Sequence, residues 1–159
     1  MSAAPASHES FTLTRQMAAP PAVVFRAWAD PAARTVWSAP SAAVEIVYDA
    51  ADFRLGGCDV VRCVEPDMPV FAAEVCYHDI VEDRRIIFAE SVSRGDERMA
   101  AALISVEIVA EGEGSTLTVT LQLVSLDIEG MGSNYRLGWT AALDNLQIWV
   151  NEAGAGGRA

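Results

Sequence analysis

Along "SFTLTRQM", residues 10–17, Phe11, Leu13, Arg15 and Met17 alternate with threonines and Gln16, the two-residue period of a strand. The period then changes. In "APPAVVFRAWA", residues 19–29, Val24, Phe25 and Trp28 share one face at helical spacing. Pro20 and Pro21 suit the start of that helix, where the first backbone N–H groups have no partner anyway. Asp30 is placed to cap a second short helix with Pro31 at its first position, carrying Val36 and ending near Trp37.

Strand-like runs follow: "AAVEIVYD" (42–49), "CDVVRCVE" (58–65), "VFAAEVCYHDIV" (70–81), "RIIFAESV" (85–92), "AALISVEIVA" (101–110) and "STLTVTLQLV" (115–124). "LGG" at 55–57, "PDMP" at 66–69, Glu82-Asp83, "RGDE" at 94–97 and "EGEG" at 111–114 supply the turns between them. Two hairpin registers can be written down. Ala110 opposite Ser115 sets Ile108 against Leu117, Val106 against Val119 and Ile104 against Leu121, an apolar face. Val81 opposite Arg84 sets Tyr77 against Phe88 and Val75 against Glu90, and turns Glu74, Cys76 and His78 to the other side.

In "SNYRLGWTAALDNLQIWVNE", residues 133–152, Trp139, Leu143, Leu146 and Val150 recur at helical spacing, with Ser133 as a candidate cap. At 1.5 Å per residue this helix runs about 30 Å. Gly138 costs about 1 kcal/mol inside a helix, so it is read as a close approach to the sheet. The expected architecture is α+β: a curved antiparallel sheet of about six or seven strands wrapped around a long C-terminal helix, with two short helices after the first strand. One domain is expected over 10–152, between tails at 1–9 and 153–159. Such a sheet leaves space where the long helix does not fill it, and the short helices can roof that space.

Charge then removes several classes of partner. The 159 residues carry 22 acidic and 11 basic side chains, a net charge of −11, and every basic residue is arginine. This surface repels nucleic acid and anionic membranes, so neither is expected as a partner. No cationic segment with a following apolar run marks a signal peptide in "MSAAPASHES", and no apolar stretch reaches the ~18 residues of a membrane helix. A cytoplasmic location is the expectation. Cys58, Cys63 and Cys76 are an odd number in a chain without secretory signals, and free thiols are expected.

"APPAVVFRAWADP" (19–31) followed by Trp37, "DFRLGG" (52–57), "YHDIVEDRRIIF" (77–88) and "GWTAALDNL" (138–146) resemble, in this order, motifs of the START/Bet v 1-like (SRPBCC) superfamily of helix-grip proteins. The match is nearest to the small bacterial group named after the C-terminal domain of the activator of Hsp90 ATPase. It spans nearly the whole chain. It implies the helix-grip fold and an internal cavity for apolar or amphipathic small molecules. Relatives include lipid carriers, polyketide cyclases and co-chaperone domains, so fold analogy names no activity. Two departures stand out. Cys58 follows the Gly-Gly pair where relatives carry a polar residue, and "LQLVS" at 121–125 is unusually apolar.

The candidate ligand-binding residues are Phe25, Trp28, Trp37, Tyr77, Phe88, Glu90, Trp139 and Leu143. Aromatic residues also dominate ordinary cores, which is the plain alternative for each of them. Arg15 and Glu90 fall on apolar faces, where an unpaired charge is costly. They either sit at a cavity mouth or pair, with each other or with a neighbour such as Asp79; for Glu90 the plain alternative is a sheet edge in water. No metal site and no cofactor are expected, because the cysteines form no Cys-x-x-Cys turn pair. No nucleophile elbow is present, and no catalytic residue is assigned. His78 and Glu74 share a face, as an acid–base pair or a surface pair. The expected function is binding of a small apolar or amphipathic ligand. The alternatives are a cyclase or aromatase-like enzyme moving protons through Tyr77 and Glu90, or a chaperone-associated interaction module. A homodimer would cover the edges of an open sheet.

Overall fold

A computed structural model describes residues 5–126 and 130–156. The elements run β1 (Ser7–Met17), α1 (Pro21–Ala29), α2 (Pro31–Trp37), β2 (Glu45–Ala50), β3 (Cys58–Val64), β4 (Phe71–Val81), β5 (Arg85–Arg94), β6 (Glu97–Glu111), β7 (Gly114–Ser125) and α3 (Met131–Gly156). All seven strands form one antiparallel sheet in the order β1-β7-β6-β5-β4-β3-β2, so β1 closes against the last strand and the rest meander. This is the sheet wrapped on a long helix that the hydrophobic pattern predicts, and the helix-grip fold that the resemblance implies. β1 begins inside the expected N-terminal tail. α3 starts before Ser133 and continues into the expected C-terminal tail, whose last residues, 157–159, lie outside the described residues, as do 1–4.

Local chemistry accounts for the short helices. Pro21 opens α1, and the Asp30 carboxylate accepts the Ala32 backbone N–H at 2.9 Å to cap α2. The expected β6–β7 register holds, with Ile104, Val106 and Ile108 facing Leu121, Val119 and Leu117. In the β4–β5 hairpin Tyr77 faces Phe88 and Val75 faces Glu90 as expected, but Val81 pairs with Arg85, not Arg84. The turn is one residue longer, with Asp83 at φ 62°, and a bulge between Tyr77 and Asp79 takes up the difference. The bulge turns Ile80 toward the core and leaves Asp79 outside, where Arg85 Nε donates to it at 2.6 Å.

The core lies between α3 and the β1–β7–β6 side of the sheet. α3 packs on β1 and β7, α1 on β6, and α2 on β2. Leu117, Leu121, Leu143, Leu146 and Val150 are fully buried there. The apolar "LQLVS" segment is thus explained: β7 is the strand beneath the long helix. Gly138 makes no close approach, since a Cβ there would meet nothing within 4 Å. The close approach is at Gly154, where a Cβ would lie 3.1 Å from the Ala18 carbonyl oxygen.

The cysteine expectation is corrected. Cys58 and Cys76 are directly opposed on β3 and β4, with Cα atoms 4.2 Å apart, and form a disulfide; Cys63 is free. Spacing within one strand places Cys58 and Cys63 on opposite faces, but the pairing of Cys58 with Cys76 depends on the β3–β4 register, which no turn residue announces. Among the described residues, no helix is long and apolar enough to cross a membrane.

Candidate functional site

Side chains alternate across a strand, so Asp59, Val61 and Cys63 on β3, Ala73, Val75 and Tyr77 on β4, and Phe88, Glu90 and Val92 on β5 share the inner face. Asp59, Tyr77 and Phe88 are buried, but the other six differ from the inner face of the neighbouring strands. Ile104, Val106, Leu117 and Val119 on β6 and β7 are fully buried. Val61, Cys63, Ala73, Val75, Glu90 and Val92 are only half-buried. α3 lies over β1 and β7 and leaves this part of the inner face less covered.

The predicted aromatic residues meet beside that region in one continuous cluster. Ring centroids are 4.8 Å apart for Trp28–Trp37, 6.2 Å for Trp28–Trp139, 6.4 Å for Phe88–Trp139 and 6.0 Å for Tyr77–Phe88. Phe53 joins Phe25 to Tyr77, at 5.7 and 4.9 Å. The sequence reading passes over Phe53, although it lies in the quoted "DFRLGG" motif. Trp28 and Trp37 are 4% and 3% exposed, so both early indoles point inward. Trp37 Nε1 donates to the Ala27 carbonyl at 2.9 Å and ties α2 to α1. Trp139 is half-buried, and Leu143 is fully enclosed in the core behind it.

A buried charge network adjoins the rings. Arg34 Nη1, from α2, donates to Asp59 Oδ2 and to Tyr77 Oη, both at 2.6 Å. The Tyr77 hydroxyl donates to the same carboxylate oxygen at 2.5 Å, and the Asp52 backbone N–H donates to Asp59 Oδ1 at 2.7 Å. The guanidinium carbon lies 4.8 Å from the Tyr48 ring centroid. Gly57 is needed for this geometry, because a Cβ there would sit 2.2 Å from the Asp52 carbonyl oxygen. Burial pushes the Tyr48 phenol up to about 12 and the Tyr77 phenol further, so both phenols stay neutral. Among the described residues, Arg34 Nε, Arg34 Nη2 and Trp28 Nε1 are buried donors with no hydrogen-bond partner.

Sequence reasoning misses Arg34 and Asp59. Two signals were available: a lone carboxylate at an inward position of the apolar run "CDVVRCV", and an arginine three residues before Trp37 on the inward side of a short helix.

Glu90 sits across the half-covered region from this network. It is neither paired with Arg15 or Asp79 nor at a wet sheet edge. Its Oε2 accepts the hydroxyl of Tyr135, from the first turns of α3. Burial raises the Glu90 carboxyl above its usual range, an effect the Tyr135 hydrogen bond only partly offsets. Burial, then the nearby Glu90 charge, raises the Cys63 thiol. Arg15 bonds Asp144 of α3 at 2.9 Å. His78 is exposed at the bulge, and Glu74 lies instead beside Cys76.

Two open grooves occur elsewhere. One, of about 510 Å³, crosses the outer face past Ser10, Gln122, Leu103, Ser91 and Cys76. The other, of about 420 Å³, lies between α2, the following loop and α3, beside Val36, Pro40, Ile148 and Trp149.

Comparison with known proteins places this geometry in a family. No curated protein matches the chain. Among solved structures, an uncharacterized protein from Rhizobium leguminosarum is 32% identical with a TM-score of 0.84, over 93% of this chain and 97% of that one. Mll3558 from Rhizobium loti is 30% identical with a TM-score of 0.81, over 91% and 99%. Ara h 8.0201 shares the fold at 14% identity, with a TM-score of 0.70 over 91% and 98%. Residues 18–151 match the model of the family described as activator of Hsp90 ATPase homolog 1-like protein, and the chain belongs to that family.

Proposed function

We propose that this chain binds a small apolar or amphipathic molecule against the inner face of β3–β5, beneath α1, α2 and the first half of α3. The observation that carries the reading is the contrast in burial along one sheet face. Val61, Ala73, Val75 and Val92 of β3–β5 are half-covered, whereas Ile104, Val106, Leu117 and Val119 of β6 and β7 are sealed. Apolar side chains left partly uncovered inside a fold lose stabilisation of about 25 cal/mol per Å², which a bound ligand restores. Phe25, Phe53 and Trp139 give the ligand partly open rings to stack on, and the buried Trp28, Trp37, Tyr77, Phe88 and Leu143 back them. Glu90 and Tyr135 on one side, and the Arg34–Asp59–Tyr77 network on the other, supply polar groups that fix its orientation.

Titration with N-phenyl-1-naphthylamine, a neutral fluorophore that brightens in apolar surroundings, tests the reading. Saturable one-to-one binding, displaced by decanoic acid or decanol, is expected. Unsaturable or absent binding overturns it.

A second reading, an enzyme of the cyclase or aromatase kind, rests on Glu90. A carboxyl whose pKa is raised and whose partner is a phenol can hold a proton for a substrate carbonyl. Turnover of a poly-β-keto thioester that is lost in Glu90→Gln, with ligand binding retained, would favour it.

A further inference from the structure

We propose that Cys58, Cys76 and Glu74 form a second site, on the outer face of the sheet, which takes a thiophilic divalent cation such as zinc once the disulfide is reduced. One ligand atom from each of the three lies within 4.8 Å of the other two. The sequence lacks a Cys-x-x-Cys pair, but register supplies what spacing does not. Cys58 and Cys76 face each other across β3 and β4, and Glu74, two residues before Cys76, shares its face. The Cys76 sulfur lies 3.9 Å from Glu74 Oε1. The cysteines are half-buried and Glu74 is exposed, so a cation reaches them from solvent.

The geometry suits such an ion. Two thiolates at ~2.3 Å from a tetrahedral zinc stand about 3.8 Å apart. Directly opposed β residues have Cβ atoms about 4.5–5.5 Å apart, so rotation about χ1 reaches that separation without moving the strands. The Glu74 carboxylate gives a third ligand. The fourth position opens on the outer groove, which Glu74 and Cys76 help to line, and takes water.

The chemistry balances through a dithiol reductant. It passes two electrons and two protons to the Cys58–Cys76 bond, which breaks to two thiols, while the reductant closes to its own disulfide. The divalent cation then displaces both thiol protons to solvent. Cys58 precedes Asp59 and Cys76 precedes Tyr77, so the site lies on the opposite face from the buried Arg34–Asp59–Tyr77 network. Disulfide and metal are thus two clamps on the same pair of strands. Cys63 faces inward and takes no part.

The test uses the full chain, reduced with a phosphine that is then removed, and titrated anaerobically with Co²⁺. A thiolate-to-cobalt charge-transfer band is expected to saturate at one equivalent and to collapse when Zn²⁺ is added. Oxidised protein should show no band. Cys58→Ser and Cys76→Ser should each lose it, Glu74→Gln should weaken cobalt binding by about 10-fold or more, and Cys63→Ser should behave as wild type. A reduced wild type without the band overturns the proposal. So does a band that survives Cys58→Ser and Cys76→Ser, or one that Cys63→Ser abolishes.

Discussion

The Tyr77 hydroxyl and the Asp59 carboxylate meet at 2.5 Å inside the fold, and Arg34 joins the same oxygen at 2.6 Å. The side chains of Arg34 and Asp59 are 7% and 1% exposed, so neither charge has water to fall back on. Removing one partner of such a pair costs about 3–5 kcal/mol, whereas replacing both by apolar groups is often nearly neutral. Asp59→Ala is expected to lower the unfolding free energy by about that amount. Arg34→Met/Asp59→Leu is expected to recover most of it. Asp52→Ala, which removes the exposed ion pair with Arg54, should cost under about 1 kcal/mol. Urea denaturation of the three variants checks the ranking.

Glu90 gives the fold a pH dependence of opposite sign to that of a salt-bridged carboxylate. Burial raises its native pKa above the ordinary value of 4.5, so the native state holds the proton more tightly than the unfolded chain. Its contribution to stability is fully present below about pH 4.5 and is lost as pH rises through the native pKa. Other carboxylates also titrate, so the comparison is between wild type and Glu90→Gln. The stability of the variant relative to wild type should rise with pH above 4.5 and then level off. Thermal unfolding from pH 4 to pH 9 reads the difference.

Trp37 and Trp139 should separate stability from binding. Trp37 is 3% exposed and its indole bonds the Ala27 carbonyl, so Trp37→Ala should cost about 3–5 kcal/mol. Trp139 is half-buried and stacks on Trp28 and Phe88. Trp139→Leu should keep most of the stability and weaken N-phenyl-1-naphthylamine binding by about two- to tenfold, the size of one aromatic stacking contact. Equal loss of both properties in the two variants would contradict the division of roles.

The Cys58–Cys76 bond closes a loop with a sequence separation of 18. A loop of this size restricts the unfolded chain by about 3 kcal/mol in the chain-entropy treatment. Reduced protein is therefore expected to unfold at lower urea with native secondary structure retained in buffer. Urea curves with and without a dithiol reductant, followed by circular dichroism, check this.

The sequence disclosed what local periodicity can carry. Alternation along β1, β6 and β7 marks the strands, and the apolar pairs Ile104–Leu121 and Ile108–Leu117 set the β6–β7 register. The Asp30-Pro31 step marks the start of α2. What stayed hidden depends on register between strands whose turns carry no length signal. The Cys58–Cys76 pairing is one case, and the bulge that puts Ile80 inside and Asp79 outside is another. The Arg34–Asp59 pair was hidden because it joins a helix to a strand 25 residues away, and nothing near either residue names the other. The aromatic set was legible as types and faces. Its continuity through Phe53 required the fold.

The central claim is that a small molecule lies against the inner face of β3–β5 beside Trp28 and Trp139. The most direct measurement follows the indole N–H signals of the four tryptophans in ¹⁵N-labelled protein during addition of N-phenyl-1-naphthylamine. Trp28 and Trp139 should shift with saturation, while Trp149, beside the groove between α2 and α3, stays in place. Unchanged signals throughout, or a shift confined to Trp149, would contradict the account.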